Sequence, residues 1–431
     1  MLDGAMRSHL AGATATVLVA LAVAAPAQAV PTTCQGLGDA ITAANAAPGP
    51  DVIDLPAGAT CRIGVELPTI TGALTIDGHG GALRAKAGTS PILLNADGES
   101  TTDGPLTLTV VDLTMSGGST AIWAYAGSIA LDHARMVGNG TAAYAIFGHV
   151  TATASRIARN GAGLAGDGAT ATDSELVGNG TAVSGLYDAA VFRSIVRRNA
   201  TGVTGPEGAT ARDSILDHNG TALSSRDYLD LTGSRLTDND VGLDGGRRQI
   251  VDSTVARNAT VGASQFETTV TRSTFFDNGR GLEAGGGAFV TNSTFARGDE
   301  LFARGGAIDF TTITGTLHSD QAISVTNSIL GACDGVFAED GVPSTASGNV
   351  SLDPGCPGLA VTADPRLRGL ADNGGPTRTL GLGARSPARD LVPCGPATDQ
   401  RGLPRPSGAA CDAGAFEAQV APAASEARAV R

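Results

Sequence analysis

The residues best placed to do chemistry recur at a fixed interval. Asp167, Tyr187, Glu207 and Asp227 each follow the last by 20 residues, with Arg226 and Tyr228 flanking the final one. If 20 residues make one turn of a repeat, Glu207 and Asp227 fall on adjacent turns, about 4.8 Å apart. Two carboxylates that close suit a retaining glycosidase pair or an oxygen-lined calcium site. Tyr187 adds a ring on which a sugar could stack. Glu207 and Asp227 are therefore the catalytic candidates, and Asp167, Tyr187, Arg226 and Tyr228 the binding candidates. The competing explanation is a solvated acidic turn on an acidic protein, and that is the expected outcome. No Lys stands nearby as a lyase base, although Arg193, Arg197, Arg198 and Arg212 lie in neighbouring units.

Two further patterns weigh less. Asp77-Gly78-His79-Gly80 contains the Gly-His-Gly triplet of polygalacturonases, but without paired Asp motifs upstream it reads as a Gly-rich corner after a strand. Thr151/Thr153, Thr170/Thr172 and Thr269/Thr271 form Thr-x-Thr steps of the kind that order water on ice-binding β-helices. Ala190, Phe192, Arg212, Asp230 and Gln249 break that ladder, and Thr is ordinary on an exposed pleated face. No residues have metal-ligand spacing. Calcium is the one cofactor the sequence leaves open.

These candidates are carried by a repeat of 19–21 residues. Asn recurs at 139, 160, 179, 199, 219, 239, 258 and 278, and a Ser stands five residues before each of the last seven. The next unit keeps Ser293 but has Gly298 where Asn is due. Apolar residues hold three sites per unit: Ile157 to Phe295 between Ser and Asn, Leu164 to Leu282 after Asn, and Ala152 to Val290 before Ser. Short segments alternating at period two are strands. Three strands in one short unit make a coil of a parallel β-helix, with the right-handed form expected. Some ten to twelve coils predict a rod of about 50–60 Å. The Asn column (Asn139, Asn160, Asn179, Asn199, Asn219, Asn239, Asn258 and Asn278) is assigned to a tight corner, where Asn tolerates left-handed geometry and stacked amides bond from coil to coil. Five of these Asn sit in N-x-Thr sequons, which therefore read as scaffold and not as glycosylation acceptors.

Composition bounds the function. With formal net charge −13 and 16% charged residues, the 431-residue chain lacks the basic surface of a nucleic-acid binder. Its 42% hydrophobic content argues against disorder. Residues 11–25 form an apolar run between Arg7 and Ala27-Gln28-Ala29, the pattern of a secretory leader. No transmembrane segment is expected in the mature chain. Six cysteines lie only towards the two ends, and export makes them disulfides with 15 possible connectivities. Nearest-neighbour pairing is expected: Cys34–Cys61, Cys333–Cys356 and Cys394–Cys411.

The two ends carry a family resemblance. Residues 34–58 have helical spacing at Leu37, Ala40, Ile41 and Ala44, then Pro48-Gly49-Pro50 and a strand. This stretch resembles the N-terminal cap of exported bacterial β-helix proteins of the CSLREA type, in degenerate form. Further on stand Asp364-Pro365-Arg366-Leu367, Asp372-Asn373-Gly374-Gly375-Pro376-Thr377, Ser386-Pro387-Ala388-Arg389-Asp390, Thr398-Asp399-Gln400-Arg401-Gly402 and Cys411-Asp412-Ala413-Gly414-Ala415-Phe416-Glu417. In that order they resemble the choice-of-anchor Q domain, which closes many bacterial surface β-helix proteins. The resemblance implies a secreted or surface-displayed β-helix of no settled activity. No LPxTG-like motif or apolar tail follows Glu417, which argues against covalent anchoring. The expected organisation is a leader at 1–29, an N-terminal cap at 30–70, repeats at 71–330, a C-terminal cap at 331–417 and a disordered tail at 418–431. The expected role is a non-catalytic, adhesin-like or glycan-binding module at the cell surface. A polysaccharide lyase or glycoside hydrolase is the alternative.

Overall fold

Three short strands and three turns make each coil, and each strand hydrogen-bonds to its counterpart one coil away. The computed structural model describes residues 29–47, 49–95, 106–335 and 345–419, so the expected leader and most of the expected tail lie outside the described residues. A representative coil runs from Arg156–Ala158 through a corner at Asn160 to a strand at 162–166. It then turns at Asp167, continues at 168–172 and turns again at Ser174. The next coil starts at Glu175–Val177, with Ile157 opposite Leu176. Stacking gives three parallel sheets, the first built from the three-residue strands between Ser and Asn. The whole is a parallel β-helix of about 14 turns, some 65 Å long at ~4.8 Å per turn. It exceeds the predicted ten to twelve coils because those near each end, such as Asp51–Asp54 on 74–77, lack the Ser and Asn signature.

Alternation decides what fills the bore. Ile157, Leu176, Val196, Leu216, Leu236, Val255, Phe275 and Phe295 form one fully buried column, and Ala152 to Val290 and Leu164 to Leu282 form two more. Phe275 and Phe295 stack with ring centroids 4.6 Å apart. Small side chains suit a bore this narrow, which explains the scarcity of aromatics.

Polar residues line the bore at two corners, where backbone groups would otherwise lack partners. From Asn160 onward each ladder Asn accepts the backbone N–H and the side-chain amide of the Asn one coil before it, and Asn139 accepts the Gly118 N–H. For Asn219 these bonds come from Asn199, both at 3.0 Å. Asn219 in turn donates through Nδ2 to the Val196 carbonyl at 3.0 Å and to Asn239 Oδ1 at 3.1 Å. The Ser column works the same way: Ser214 Oγ accepts from the Ser194 N–H at 3.1 Å and donates to the Arg212 carbonyl at 2.7 Å. With their amides buried and bonded, the ladder Asn side chains are closed to glycosylation.

The left-handed residue at each corner is not the Asn. It is the residue before it: Arg159 (φ 54°), Arg198 (56°), His218 (54°), Asp238 (59°), Arg257 (54°) and Asp277 (57°). The Ser corners are alike, with Asp173 at 50° and Arg193 at 47°. Turning the chain one residue early points the following side chain into the bore, while the left-handed residue faces solvent. Where acid and base alternate there, adjacent coils are tied by Arg193–Asp173 (2.7 Å), Arg257–Asp238 (2.6 Å), Arg272–Asp252 (2.6 Å) and Arg297–Asp277 (2.8 Å). The Arg257 guanidinium holds the Asp238 carboxyl below its ordinary range.

The Asn ladder ends one residue later than the sequence spacing indicates. Asp299, not Gly298, takes the final place and accepts both the N–H (2.8 Å) and the side-chain amide (2.5 Å) of Asn278. Burial pushes its carboxyl up to about 6.

The ends are stapled by Cys34–Cys61, Cys333–Cys356 and Cys394–Cys411. Helix Leu37–Ala46 buries Leu37 and Ile41 against the first coils. The C-terminal segment does more than cover the far end. It runs back along the first sheet, where Gln400 donates to Thr274 Oγ1 (2.8 Å) and Thr377 Oγ1 (2.9 Å) and accepts from Thr294 Oγ1 (2.6 Å). The Arg401–Asp399 and Arg405–Glu417 pairs are buried beside it. The residues that carried the family resemblance thus act as packing and hydrogen-bonding groups.

Two outcomes follow from the Asn ladder. Asn219→Ala removes the acceptor of the Asn199 backbone N–H and the amide bonds to the Val196 carbonyl and Asn239, which costs about 1–3 kcal/mol; a melting temperature equal to the parent's would show that the ladder bonds add nothing. Asp299 has a folded-state pKa above the ordinary 3.8, so the stability it contributes is present below about pH 4 and is lost as pH rises through about 6. Asp299→Asn should therefore stabilise the protein by about 2–3 kcal/mol at pH 7, with the advantage fading on acidification. A gain that grows towards low pH in denaturant titrations would contradict this.

Candidate functional site

The turn between the second and third sheets carries no inward polar ladder, so its residues are free to vary. Its residues stack in the predicted register: Asp188 lies opposite Gly208, and Gly208 opposite Tyr228. The Glu207 N–H donates to the Tyr187 carbonyl at 3.0 Å. Tight backbone passage fixes the turn's composition. A Cβ on Gly185 would stand 2.0 Å from the Asp188 carbonyl oxygen, so only glycine fits.

Asp167, Tyr187 and Glu207 come together in one groove of about 450 Å³, with His149 and Asp188 also lining it. Tyr187 is 47% exposed there. Asp227 and Arg226 lie one coil beyond and do not line the groove. Tyr228 belongs elsewhere, on strand Tyr228–Thr232, where its hydroxyl donates to Gln249 Oε1 at 2.5 Å. Burial, with the nearby Asp230 adding to it, raises the Tyr228 hydroxyl above its ordinary value. The neighbouring arginines are engaged away from Glu207: Arg193 with Asp173, Arg197 with Glu175, and Arg212 with Asp230. Arg198 sits at an Asn corner.

Beside this groove is a cluster of rings that the spacing of titratable residues does not indicate. Trp123 and Tyr125 point the same way from strand Thr120–Tyr125, and Tyr144 lies directly opposite Trp123 on the next coil. Tyr125 is 42% exposed, Tyr144 37% and Phe147 64%. The Trp123 and Tyr125 rings lie 6.2 Å apart and 22° from parallel, and Phe147 meets Tyr125 edge-on at 5.6 Å. Phe147 has φ 57°, a left-handed conformation rare for a bulky residue. It stands two residues before His149, so platform and groove are continuous along the chain. This face holds the chain's one Trp and two of its four Tyr. The signal was legible: Trp123 and Tyr144 are 21 residues apart, one repeat, and Trp123-x-Tyr125 has the strand period.

His79 is bracketed by two carboxylates, with Nε2 3.2 Å from Asp54 Oδ1 and Nδ1 3.4 Å from Asp77 Oδ1. Asp54 and Asp77 are stacked partners on adjacent coils. Among the described residues this is the group whose donor atoms converge closely enough to hold a metal ion. Each ring nitrogen already faces a carboxylate, which accounts for the arrangement without one.

No protein-family model matches the sequence, and no curated protein matches it. Among solved structures, the chain is similar to the A-module of AlgE6, a mannuronan C-5 epimerase of Azotobacter vinelandii (14% identity, 74% of this chain and 94% of that one, TM-score 0.36). It is also similar to pectate lyase Pel9A (17% identity, 87% and 90%, TM-score 0.27). A third likeness is to PfbA, a surface adhesin of Streptococcus pneumoniae (10% identity, 81% and 96%, TM-score 0.21). At these TM-scores the likenesses carry no functional argument. The β-helix assignment rests on the pairing of this chain's own strands.

Proposed function

We propose that this protein is a secreted or surface-associated, non-catalytic glycan-binding module, adhesin-like in role. One observation carries the reading: a chain with 4% aromatic residues places a half-buried Trp123 and exposed Tyr125, Tyr144 and Phe147 on a single face, next to a groove with Asp167, Tyr187 and Glu207. Planar rings on a rigid sheet bind the apolar faces of sugars with little ordering cost, and carboxylates beside them accept hydrogen bonds from sugar hydroxyls. A contiguous exposed aromatic patch of this kind fits an interaction site. Three disulfides fit an oxidising compartment, and the motifs resembling the choice-of-anchor Q domain support surface display. A lyase or hydrolase at the same turn would need Glu207 to work with Asp227, which lies outside the groove's lining.

Titration calorimetry of the purified protein against neutral oligosaccharides, with calcium and with a chelator, tests the proposal. Trp123→Ala with Tyr144→Ala should weaken binding about tenfold, at ~0.5–1.5 kcal/mol per ring, with the melting temperature unchanged. Equal affinity in variant and parent would overturn the role of the platform. Release of reducing ends or unsaturated products by the parent, abolished in Glu207→Gln, would establish the enzymatic alternative.

A further inference from the structure

On the other side of the Asn corner, the first sheet carries a second groove, the larger of the two at about 690 Å³. Its floor is a column of side chains in register, Thr114, Arg135, Arg156, Glu175 and Ile195, and the column continues past the groove to Ile215. Arg135 stands directly opposite Arg156, and like charges so placed in a sheet repel. Arg159 and Arg197 also press on Arg156. Burial first, and then these three arginines, lower the proton affinity of the Arg156 guanidinium.

Carboxylates answer only part of this charge. Glu175 is shared by Arg156 and Arg197, and Asp173 on the groove wall is taken by Arg193. Asp112 lies at the far edge of the groove, beside Gly80. Among the described residues, no carboxylate pairs with Arg135 or Arg159. The Nε atoms of Arg156 and Arg197 are buried without a hydrogen-bond partner. Apart from the Arg193–Asp173 pair, Arg135 and Arg156 in the groove, with Arg159 and Arg197 beside it, face two carboxylates, Glu175 and Asp112, and on a chain of net charge −13 this local excess of positive charge favours an added anion.

We infer that this groove binds an extended anionic polysaccharide along the stack, its carboxylate or sulfate groups held by Arg135 and Arg156 on the floor and by Arg159 at the corner beside it. Beyond Glu175 the floor turns apolar at Ile195 and Ile215, each 39% exposed, which suits the faces of sugar rings. The C-terminal segment walls off the groove's direction of travel. Pro376, Arg401 and Gly402 close over Asp252 and Arg272, and Thr377 donates to the Arg272 carbonyl at 3.0 Å. Among the described residues no Phe, Tyr or Trp lines the groove, and His133 is its one ring, so a single-stranded nucleic acid would lack the run of stacking platforms on which its binding depends. The inference goes beyond the aromatic platform, which faces another side, so each can fail without the other.

Dextran, dextran sulfate and carboxymethyl dextran share a backbone and differ in charge, which makes them suitable probes. At low salt the mature protein should bind dextran sulfate, carboxymethyl dextran or both far more tightly than unmodified dextran, and the arm that binds identifies the anion. Added salt should weaken that binding steeply. Arg135→Gln with Arg159→Asn, in which Asn accepts the left-handed corner, should cost on the order of tenfold or more, with melting temperature and neutral-glycan binding unchanged. Arg135→Gln alone should lose part of the affinity in the same direction. The inference is overturned if neither charged dextran binds, if unmodified dextran binds as tightly, or if the double variant matches the parent. It is equally overturned if a single-stranded oligodeoxynucleotide binds as tightly as the charged dextrans.

Discussion

A narrow bore cannot leave backbone groups unpaired, and a chain that turns three times per coil creates unpaired groups at every corner. The inward Asn and Ser ladders answer this constraint. Each Ser serves its own coil through a nearby carbonyl and the preceding coil through an N–H, while each Asn spans coils, bonding a carbonyl and an N–H of the coil before it. For Asn179 the bonds are a donation to the Ile157 carbonyl at 3.0 Å and acceptance of the Asn160 N–H at 3.0 Å. A one-residue slip between coils would break both ladders and turn the apolar columns outward. Register is thereby locked from within, and the outward Arg–Asp pairs add to it at the surface.

That division of labour explains where binding chemistry can lie. Two of the three turns are committed: one residue points in and its left-handed predecessor points out, often paired to the next coil. The third turn and the outer faces of the strands carry no such obligation. They are where the rings around Trp123, the acidic groove at Glu207 and the arginines around Arg156 occur. Covering part of the first sheet, the C-terminal segment leaves the stretch from Thr114 to Ile215 open while burying Gln400 and Asp399 against the coils that follow.

Much of the scaffold was legible in the sequence because a repeat shows each constraint many times. The Ser and Asn columns gave coil length and register, and the apolar columns gave the three strands. What escaped was what occurs once or depends on direction. Asp299 replaces Asn one residue out of step, and only the fold shows it closing the ladder. The left-handed role was assigned to Asn because its type allows it, whereas the structure gives that role to Arg, His and Asp, residues with no such preference in the case of Arg. Coils without the signature were left out of the length. The rings lie outside the 20-residue spacing of the carboxylates, and Asp227 follows that spacing without entering the groove. Arg248 is a similar case. It sits at an inward position, 1% exposed, where its guanidinium donates to the carbonyls of Gly245 (3.2 Å) and Gly262 (2.9 Å). There the second sheet narrows to the single bridge Val241–Thr260, and no sequence pattern marks it.

The central claim is that buried side-chain amides, more than the outer surface, hold the coils in register. Native-state hydrogen exchange tests it at single amides. The backbone N–H groups of Asn160, Asn179, Asn199, Asn219 and Asn239, each donated to the Asn of the next coil, should exchange only with global unfolding of the stack. Exchange of these amides as fast as those of the exposed turn at Leu186 and Tyr187 would contradict the account.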